Sequence, residues 1–244
     1  MTNMGHRLRV ARIAFAVFAL VAVLLTAPAS SRAADRAERL LDKDIAARFS
    51  PRAYRRSPVA KAKLDAIFLA AHAAASAYGE RPWRYLVATR REHPDAYEKL
   101  FSTLNEKNQA WVQRRPPVLI LALYKQDYVN PKRPGPNTHA AHDLGMADAT
   151  LALQAQKLGV SLRHTSGFDA AKAKALFAIP AGYEASSVIV LGYAASPRVL
   201  PAERRRKEQA RRSRAPYANP PTLAETTFFG SWGRRGGEAV PKSP

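Results

Sequence analysis

His139 and His142 stand three residues apart and are followed by Asp143, the nearest approach in this chain to a metal-ligand spacing, because residues so separated share a helix face. A third ligand is not evident, and a polar helix start accounts for the same residues, so no metal is expected. The 244-residue chain has no cysteine, which excludes disulfides, a thiol nucleophile and zinc sites of the cysteine type. A glycine-rich phosphate loop, a serine elbow and a paired-acid signature are also missing. What remains is a distributed set. Arg48, Ser50 and Arg52 alternate after a first helix; Ser76, Gly79 and Arg81 lie in the turn before Pro82-Trp83; Asn108 sits in Asn108-Gln109-Ala110-Trp111; Ser166 and Gly167 follow a strand; Arg212 and Arg214 flank Ser213. The turn joins an Ala-rich helix to the apolar run Tyr85-Leu86-Val87-Ala88, a composition typical of a segment that lines a site.

The elements that must hold these residues alternate between helix and strand. Ala34 to Ala47 reads as a first helix, and Leu64, Ile67, Phe68 and Ala71 recur on one face of a second after Ser57-Pro58. Tyr85 to Ala88 is a predicted strand. Asp95 to Leu104 and Glu106 to Arg114 are predicted helices, and Val118 to Leu123 is an apolar central strand behind Pro116-Pro117. Lys125 to Asn137 is a loop. The longest helix, Thr138 to Leu158, carries Leu144, Ala147, Leu151, Ala155 and Leu158 on one stripe and stops at Gly159. Val160 to His164 is a strand, Asp169 caps a short helix ending near Ala178, and Ser187 to Gly192 is a second fully apolar strand. Strands apolar on both faces require helices on both sides, so a three-layer α+β fold follows. Thr226-Thr227-Phe228-Phe229 reads as one further strand, and the burial that Phe229 and Trp232 require points to a tail reaching across a partner subunit.

Arg7, Arg9 and Arg12 precede an uncharged run from Ile13 to Leu25 and then small residues, the profile of a signal peptide over residues 1–33, or of an N-terminal anchor able to associate with a membrane. The expectation is export to the periplasm or envelope; a cytoplasmic protein with a mis-assigned start is the alternative. Residues 34–233 then form one domain, and 234–244 a flexible tail. Residues 1–33 hold four Arg and no acid, so 35 basic and 19 acidic residues remain beyond them. The surplus concentrates between Arg198 and Arg214, where eight Arg or Lys face Glu203 and Glu208. Such a run attracts phosphate, nucleic acid or anionic lipid, or is simply a solvated basic connection. Aromatic residues are not interleaved with it, so nucleic acid is not an expected partner.

Taken in order, the distributed residues resemble the FMN-dependent nitroreductase family. The elements are Arg48-Phe49-Ser50-Pro51-Arg52, the Ser76-Ala77 to Pro82-Trp83 turn, Asn108-Gln109-Ala110-Trp111, Gly167-Phe168-Asp169 and Gly192-Tyr193, spanning about Leu40 to Gly233. The resemblance implies a three-layer α-β-α fold with a mixed central sheet and a C-terminal extension wrapping the other subunit of a homodimer, with FMN at the interface. It implies that Arg48, Ser50, Arg212 and Arg214 hold the flavin phosphate, a task suited to guanidinium forks and a hydroxyl. Arg52 would lie near the ribityl chain or ring, Asn108 at the pyrimidine edge, and the Ser166-Gly167 backbone against N5. Ser76, Gly79 and Arg81 would come from the second subunit. The implied activity is ping-pong transfer of hydride from NAD(P)H through flavin N5 to a nitroaromatic, a quinone or a similar small acceptor, with no catalytic residue beyond the flavin.

The chain departs from many family members at Gly79, where they carry Asn, and at Arg81, where they carry Gln. Neither replacement offers the amide that helps to position flavin. A second reading therefore stands beside the first: a nitroreductase-fold protein of the envelope that has lost or altered flavin binding and serves as a binding protein.

Overall fold

The computed structural model describes residues 39–212 and 223–233. The predicted signal segment, Arg214 and residues 234–244 lie outside them. Two units are distinguished, divided between Ala47 and Arg48. In the first, helix α1 covers Lys43–Ala47, where Asp42 Oδ1 accepts the N–H of Asp44 at 2.8 Å and so caps the first turn. Arg39 and Leu40 are helical as well, so the predicted first helix reaches Ala47 but is interrupted at Leu41 and Asp42, and its 34–38 portion is outside the described residues.

The second unit is built on four strands: β1 (Trp83–Thr89), β2 (Val118–Lys125), β3 (Ser161–Thr165) and β4 (Tyr183–Gly192), in the order β1-β2-β4-β3. Every pairing among them is antiparallel, which corrects the expectation of a mixed sheet for the described strands. Apolar runs on β2 and β4 report burial of both faces but carry no information on direction. Here the β1 to β2 connection leaves and returns at one end, pairing Thr89 with Val118. A bulge between Ala122 and Leu123 shifts the β2–β4 register by one residue, with Ala122 opposite Ser187 and Leu123 opposite Ala185.

Side chains of β2 alternate between two cores. Val118, Ile120 and Ala122 pack against helix α2 (Lys61–His72) through Leu64, Ile67 and Ala71, and against helix α5 (Ala140–Lys157) through Leu144, Ala147, Leu151 and Ala155. Leu119, Leu121 and Leu123 face α3 (Pro94–Thr103), α4 (Glu106–Val112) and α6 (Ala170–Leu176) through Tyr97, Leu100, Phe101, Trp111, Val112 and Ala173. This is the three-layer arrangement expected of two-sided apolar strands. Asn105 caps α4 by accepting from Asn108 N, and Asp169 caps α6 by accepting from Lys172 N.

Two readings of the C-terminal part are corrected. Ala202–Arg212 is a helix, α7, within what reads from sequence as a basic connection; it is almost wholly polar, and its one fully buried side chain is Glu208. Thr226 closes a short helix, α8 (Leu223–Thr226), and Thr227 and Phe228 follow without strand pairing, so the predicted strand is absent there. Phe228 and Trp232 stack on each other at 4.8 Å.

Candidate functional site

The Arg48–Arg52 segment is fastened to α7 by a carboxylate. Both Glu208 oxygens accept the N–H of Arg52, at 3.1 and 3.0 Å, and Oε1 also accepts that of Ala53 at 3.3 Å. The same carboxylate pairs with Arg211 at 3.4 Å and Arg212 at 3.6 Å, one helical turn further on. Arg212 donates to the Ala195 carbonyl and lies over the Phe49 ring. From β3, Arg163 donates to the Ser50 carbonyl at 3.0 Å, and its guanidinium shares the Trp111 ring with that of Arg52, at 5.7 and 5.8 Å. Arg48 reaches the Ser50 hydroxyl at 3.4 Å. The result is an arginine-rich corner in which Arg211 and Arg212 pair with Glu208, Arg204 pairs with Glu203 at 3.7 Å, Arg52 and Arg163 share Trp111, and Arg48 joins through Ser50. Burial pushes the Arg52 guanidinium down to about 10, helped by the charges of Arg163, Arg211 and Arg204 and opposed by Glu208. The Nε groups of Arg52, Arg204 and Arg212 are buried with no hydrogen-bond partner among the described residues.

Trp111 links this corner to the Ser166-Gly167 turn. Its indole N–H donates to Asn108 Oδ1 at 2.8 Å, while Asn108 Nδ2 donates to Thr165 Oγ1 at 2.6 Å and to the Gly167 carbonyl at 2.8 Å. Both amide hydrogens of Asn108 are therefore spent inside the chain, on holding the turn. Gly167 is required by that arrangement: a Cβ there would come within 2.5 Å of Asn105 Nδ2 and nearer still to Asn108 Nδ2. A cavity of about 410 Å³ opens beside the turn, lined by Asn105, Ser166, Gly167 and Lys172 among others.

The 76–83 turn has its own supports. The Ala77 N–H donates to both oxygens of buried Asp143 at 3.2 and 3.1 Å, and Ser76 Oγ accepts the Arg81 N–H at 3.0 Å. Glu80, also buried, accepts from Val129 N at 2.6 Å and Asn130 N at 2.9 Å, tying the turn to the loop after β2. Tyr78, Gly79 and Arg81 all have left-handed φ, of 56°, 70° and 46°, a concentration of strain that glycine relieves at one of the three. Tyr78 is exposed, with the Arg133 guanidinium 3.6 Å from its ring centre. Gly79 and Arg81 line a cavity of about 600 Å³ with Phe68, His72 and Trp83. His139 lies edge-on to Tyr78, His142 is 3.7 Å from Asp143, and among the described residues no third ligand joins them.

A polar chain crosses the α5 side of the sheet. Tyr85 donates to Asp148 at 2.8 Å, His164 Nδ1 stands 3.5 Å from the other Asp148 oxygen, and Ser187 is 3.4 Å from the same ring nitrogen. Burial raises Asp148 to about 6 against the pull of the Tyr85 hydrogen bond, and lowers His164 to about 4 with help from Arg48.

The structure thus brings Arg48, Ser50, Arg52 and Arg212 into one corner, and joins Asn108 and Gly167 to it through Trp111. Ser76, Gly79 and Arg81 sit in the separate 76–83 turn, where the Arg81 N–H donates to Ser76 Oγ, the Gly79 N–H donates to the Ser76 carbonyl, and the Arg81 carbonyl accepts from Arg84. Arg214 is outside the described residues. Sequence reasoning missed Glu208, Arg163 and Trp111 as the parts that assemble the corner. The spacing of Glu208 to Arg211 and Arg212 at three and four residues was the available signal, but it has meaning only on a helix.

Comparison with known proteins gives the family. The nitroreductase family model matches residues 45–193, and the chain belongs to the nitroreductase family. Among solved structures, an oxidoreductase containing FMN is 27% identical and superposes with a TM-score of 0.70, over 80% of this chain and 94% of that one. A nitroreductase family protein from Clostridium difficile 630 is 19% identical (TM-score 0.57, 77% and 96% covered), and a nitroreductase-type protein from Desulfovibrio desulfuricans in complex with FMN is 20% identical (TM-score 0.59, 78% and 96% covered). No curated protein matches the chain.

Proposed function

We propose that this protein is an FMN-dependent oxidoreductase of the nitroreductase type, taking reducing equivalents from NAD(P)H and passing them in a second half-reaction to a nitroaromatic, quinone or similar small acceptor. The observation that carries the reading is the arginine corner, where Arg48, Ser50, Arg52 and Arg212 come together and the Nε groups of Arg52, Arg204 and Arg212 are buried with no hydrogen-bond partner among the described residues. Buried donors are nearly always satisfied in native folds, and a phosphate dianion supplies both the acceptors and the charge that the corner lacks. When bound, FMN supplies the electron chemistry, so no acid-base or nucleophilic constellation is needed. The chain's own residues bind and orient: Arg48, Ser50 and Arg212, with Arg214 from the following segment, hold the phosphate, Arg52 places positive charge beside it, and Gly167 keeps a backbone N–H at the mouth of the 165–169 turn. The FMN in the 27%-identical neighbour supports the same reading.

The proposed assembly is a homodimer in which the 76–83 turn of one copy completes the site of the other. The separation of that turn from the corner supports this, as do the exposed Leu69 on α2, Met146 and Leu153 on α5, and Phe229 and Trp232 near the C-terminus. The arginine-led, apolar N-terminal segment supports a location in the cell envelope.

One observation favours the second reading, a flavin-free binding protein: Asn108 has no amide hydrogen left over, and Gly79 no side chain. Spectra of the purified protein separate the two. The enzyme reading expects a yellow complex after FMN addition, bleached anaerobically by NADH or NADPH, and at least a tenfold loss of FMN affinity in Arg48→Ala/Arg52→Ala, each charged hydrogen bond contributing about 1.5–3 kcal/mol. A folded protein that stays colourless with excess FMN ends that reading and leaves the second.

A further inference from the structure

A further concavity belongs to neither the arginine corner nor the 76–83 turn. It lies at the opposite end of β1 from the turn, where Thr89 pairs with Val118, and has a volume of about 660 Å³, within the range of small-molecule sites. Its wall is rigid. The Arg90 N–H donates to the Pro117 carbonyl at 2.8 Å, and the Arg90 guanidinium donates to the carbonyls of Arg56 at 2.8 Å and Arg114 at 3.1 Å. Three segments distant in sequence, the 55–60 loop, the end of β1 and the approach to β2, are clamped together by this one residue.

Those acceptors are neutral carbonyls, so they fix the Arg90 guanidinium without cancelling its charge, and three of its five N–H donors remain. Arg56 and Arg91 line the same cavity, and neither has an ion pair among the described residues. Lys61, also on the rim, is matched by Asp65 at 2.7 Å. Glu92 is the one carboxylate in the lining. The apolar part of the lining is Val59, Pro117 and Val118, all buried. A cavity lined by three arginines from two segments and by an aliphatic floor fits a ligand with a compact multiply charged head and an apolar body. A monocarboxylate occupies one arginine fork; a phosphoryl group, with about two negative charges and three acceptor oxygens, can engage all three.

We propose that this cavity is a binding site for a small organic phosphate, with the phosphoryl group on Arg56, Arg90 and Arg91 and the organic part on Val59, Pro117 and Val118. The site is separate from the arginine corner and does not depend on flavin binding. Phenyl phosphate is a suitable probe, titrated calorimetrically beside inorganic phosphate into the full-length protein with FMN in excess, so that the arginine corner, itself proposed to hold a phosphate, is already filled. Saturable one-to-one binding is expected, about tenfold tighter for phenyl phosphate because its ring is removed from water. Arg56→Ala/Arg91→Ala should weaken it at least tenfold, Arg56→Lys/Arg91→Lys should fall between because charge is kept and the fork is lost, and Arg48→Ala/Arg52→Ala should leave it unchanged. Both changed side chains are exposed, and circular dichroism checks that the variants fold; the lysine pair carries the test alone if the alanine pair does not. The proposal is overturned by absence of saturable binding, by equal affinity for the two phosphates, by unchanged affinity in the Arg56/Arg91 variants, or by loss of binding in Arg48→Ala/Arg52→Ala, which would assign the ligand to the other cluster.

Discussion

Glu208 and Arg52 are 156 residues apart in sequence, and the carboxylate of the first accepts the backbone N–H of the second through both oxygens. A single buried acid thereby sets the path of the segment that carries Arg48, Ser50 and Arg52. Removing it leaves two backbone N–H groups unsatisfied and several guanidinium groups facing one another. Glu208→Ala should cost about 3 kcal/mol, a buried charge pair with one partner deleted. For a domain of this size that lowers Tm by roughly 6–12 °C. Glu208→Gln, which keeps an acceptor oxygen, should lose less. Thermal melts of both variants test this, and an unchanged Tm in Glu208→Ala would refute the fastening role.

Gly167→Ala drives a methyl group into the side-chain amides of Asn105 and Asn108. The amides must move and surrender the bonds to Thr165 and the Gly167 carbonyl, at a cost of about 2 kcal/mol. In an Asn108→Ala background part of the clash is already gone, so the same substitution should cost at least about 0.5 kcal/mol less. Denaturant unfolding of the four proteins in this cycle measures the difference; strict additivity would show that Asn108 does not impose the glycine.

Asp148 and His164 respond to acid in opposite senses. The His164 pKa is lowered to about 4, so between an unfolded value of 6.5 and about 4 the unfolded chain holds the extra proton, and stability is lost as pH falls. The Asp148 pKa is raised to about 6 from 3.8, so over nearly the same window the folded chain holds the extra proton, and stability is gained as pH falls. Asp148→Asn removes the gain and should lose about 2 kcal/mol more than the parent protein between pH 7 and 4. His164→Gln removes the loss and should fare about 1 kcal/mol better over that range, the smaller figure reflecting the partial exposure of the ring. Urea titrations at pH 7, 5.5 and 4 decide it; parallel pH profiles for all three proteins would contradict the assignment.

At Gly79 the backbone, not the space around it, sets the requirement. Nothing lies within 4 Å of a Cβ placed there, yet φ is 70°. Alanine in that conformation should cost about 1 kcal/mol, whereas asparagine, which tolerates left-handed backbone, should cost little. Equal melting temperatures for Gly79→Ala and Gly79→Asn would show that the turn readjusts. If the turn of one subunit faces the flavin of the other, Gly79→Asn should also tighten FMN binding.

Local pattern made much of the molecule legible. The stripe Leu144, Ala147, Leu151 and Ala155 is buried as its period requires, Asn105 and Asp169 cap the helices that follow them, and the two-sided apolar runs of β2 and β4 lie between two helical layers. Period and capping act over one or two helical turns, so a single sequence contains them in full. Strand direction was not legible, because burial of both faces is compatible with either pairing. Helix α7 was hidden as well: it has no apolar stripe, and the side chain it buries is a glutamate whose partners lie in a segment 156 residues earlier.

The sequence by itself determined the types, and the order along the chain, of the residues that the family resemblance assigns to a phosphate and a flat cofactor, since residue type and spacing are local. Tertiary structure decided how they are used. It closed the arginine corner on Glu208, spent Asn108 on Thr165 and Gly167 rather than leaving it open, and kept the 76–83 turn apart from both. Those outcomes depend on hydrogen bonds and charge pairs between segments far apart in sequence, which exist only once the sheet has fixed the distances between them.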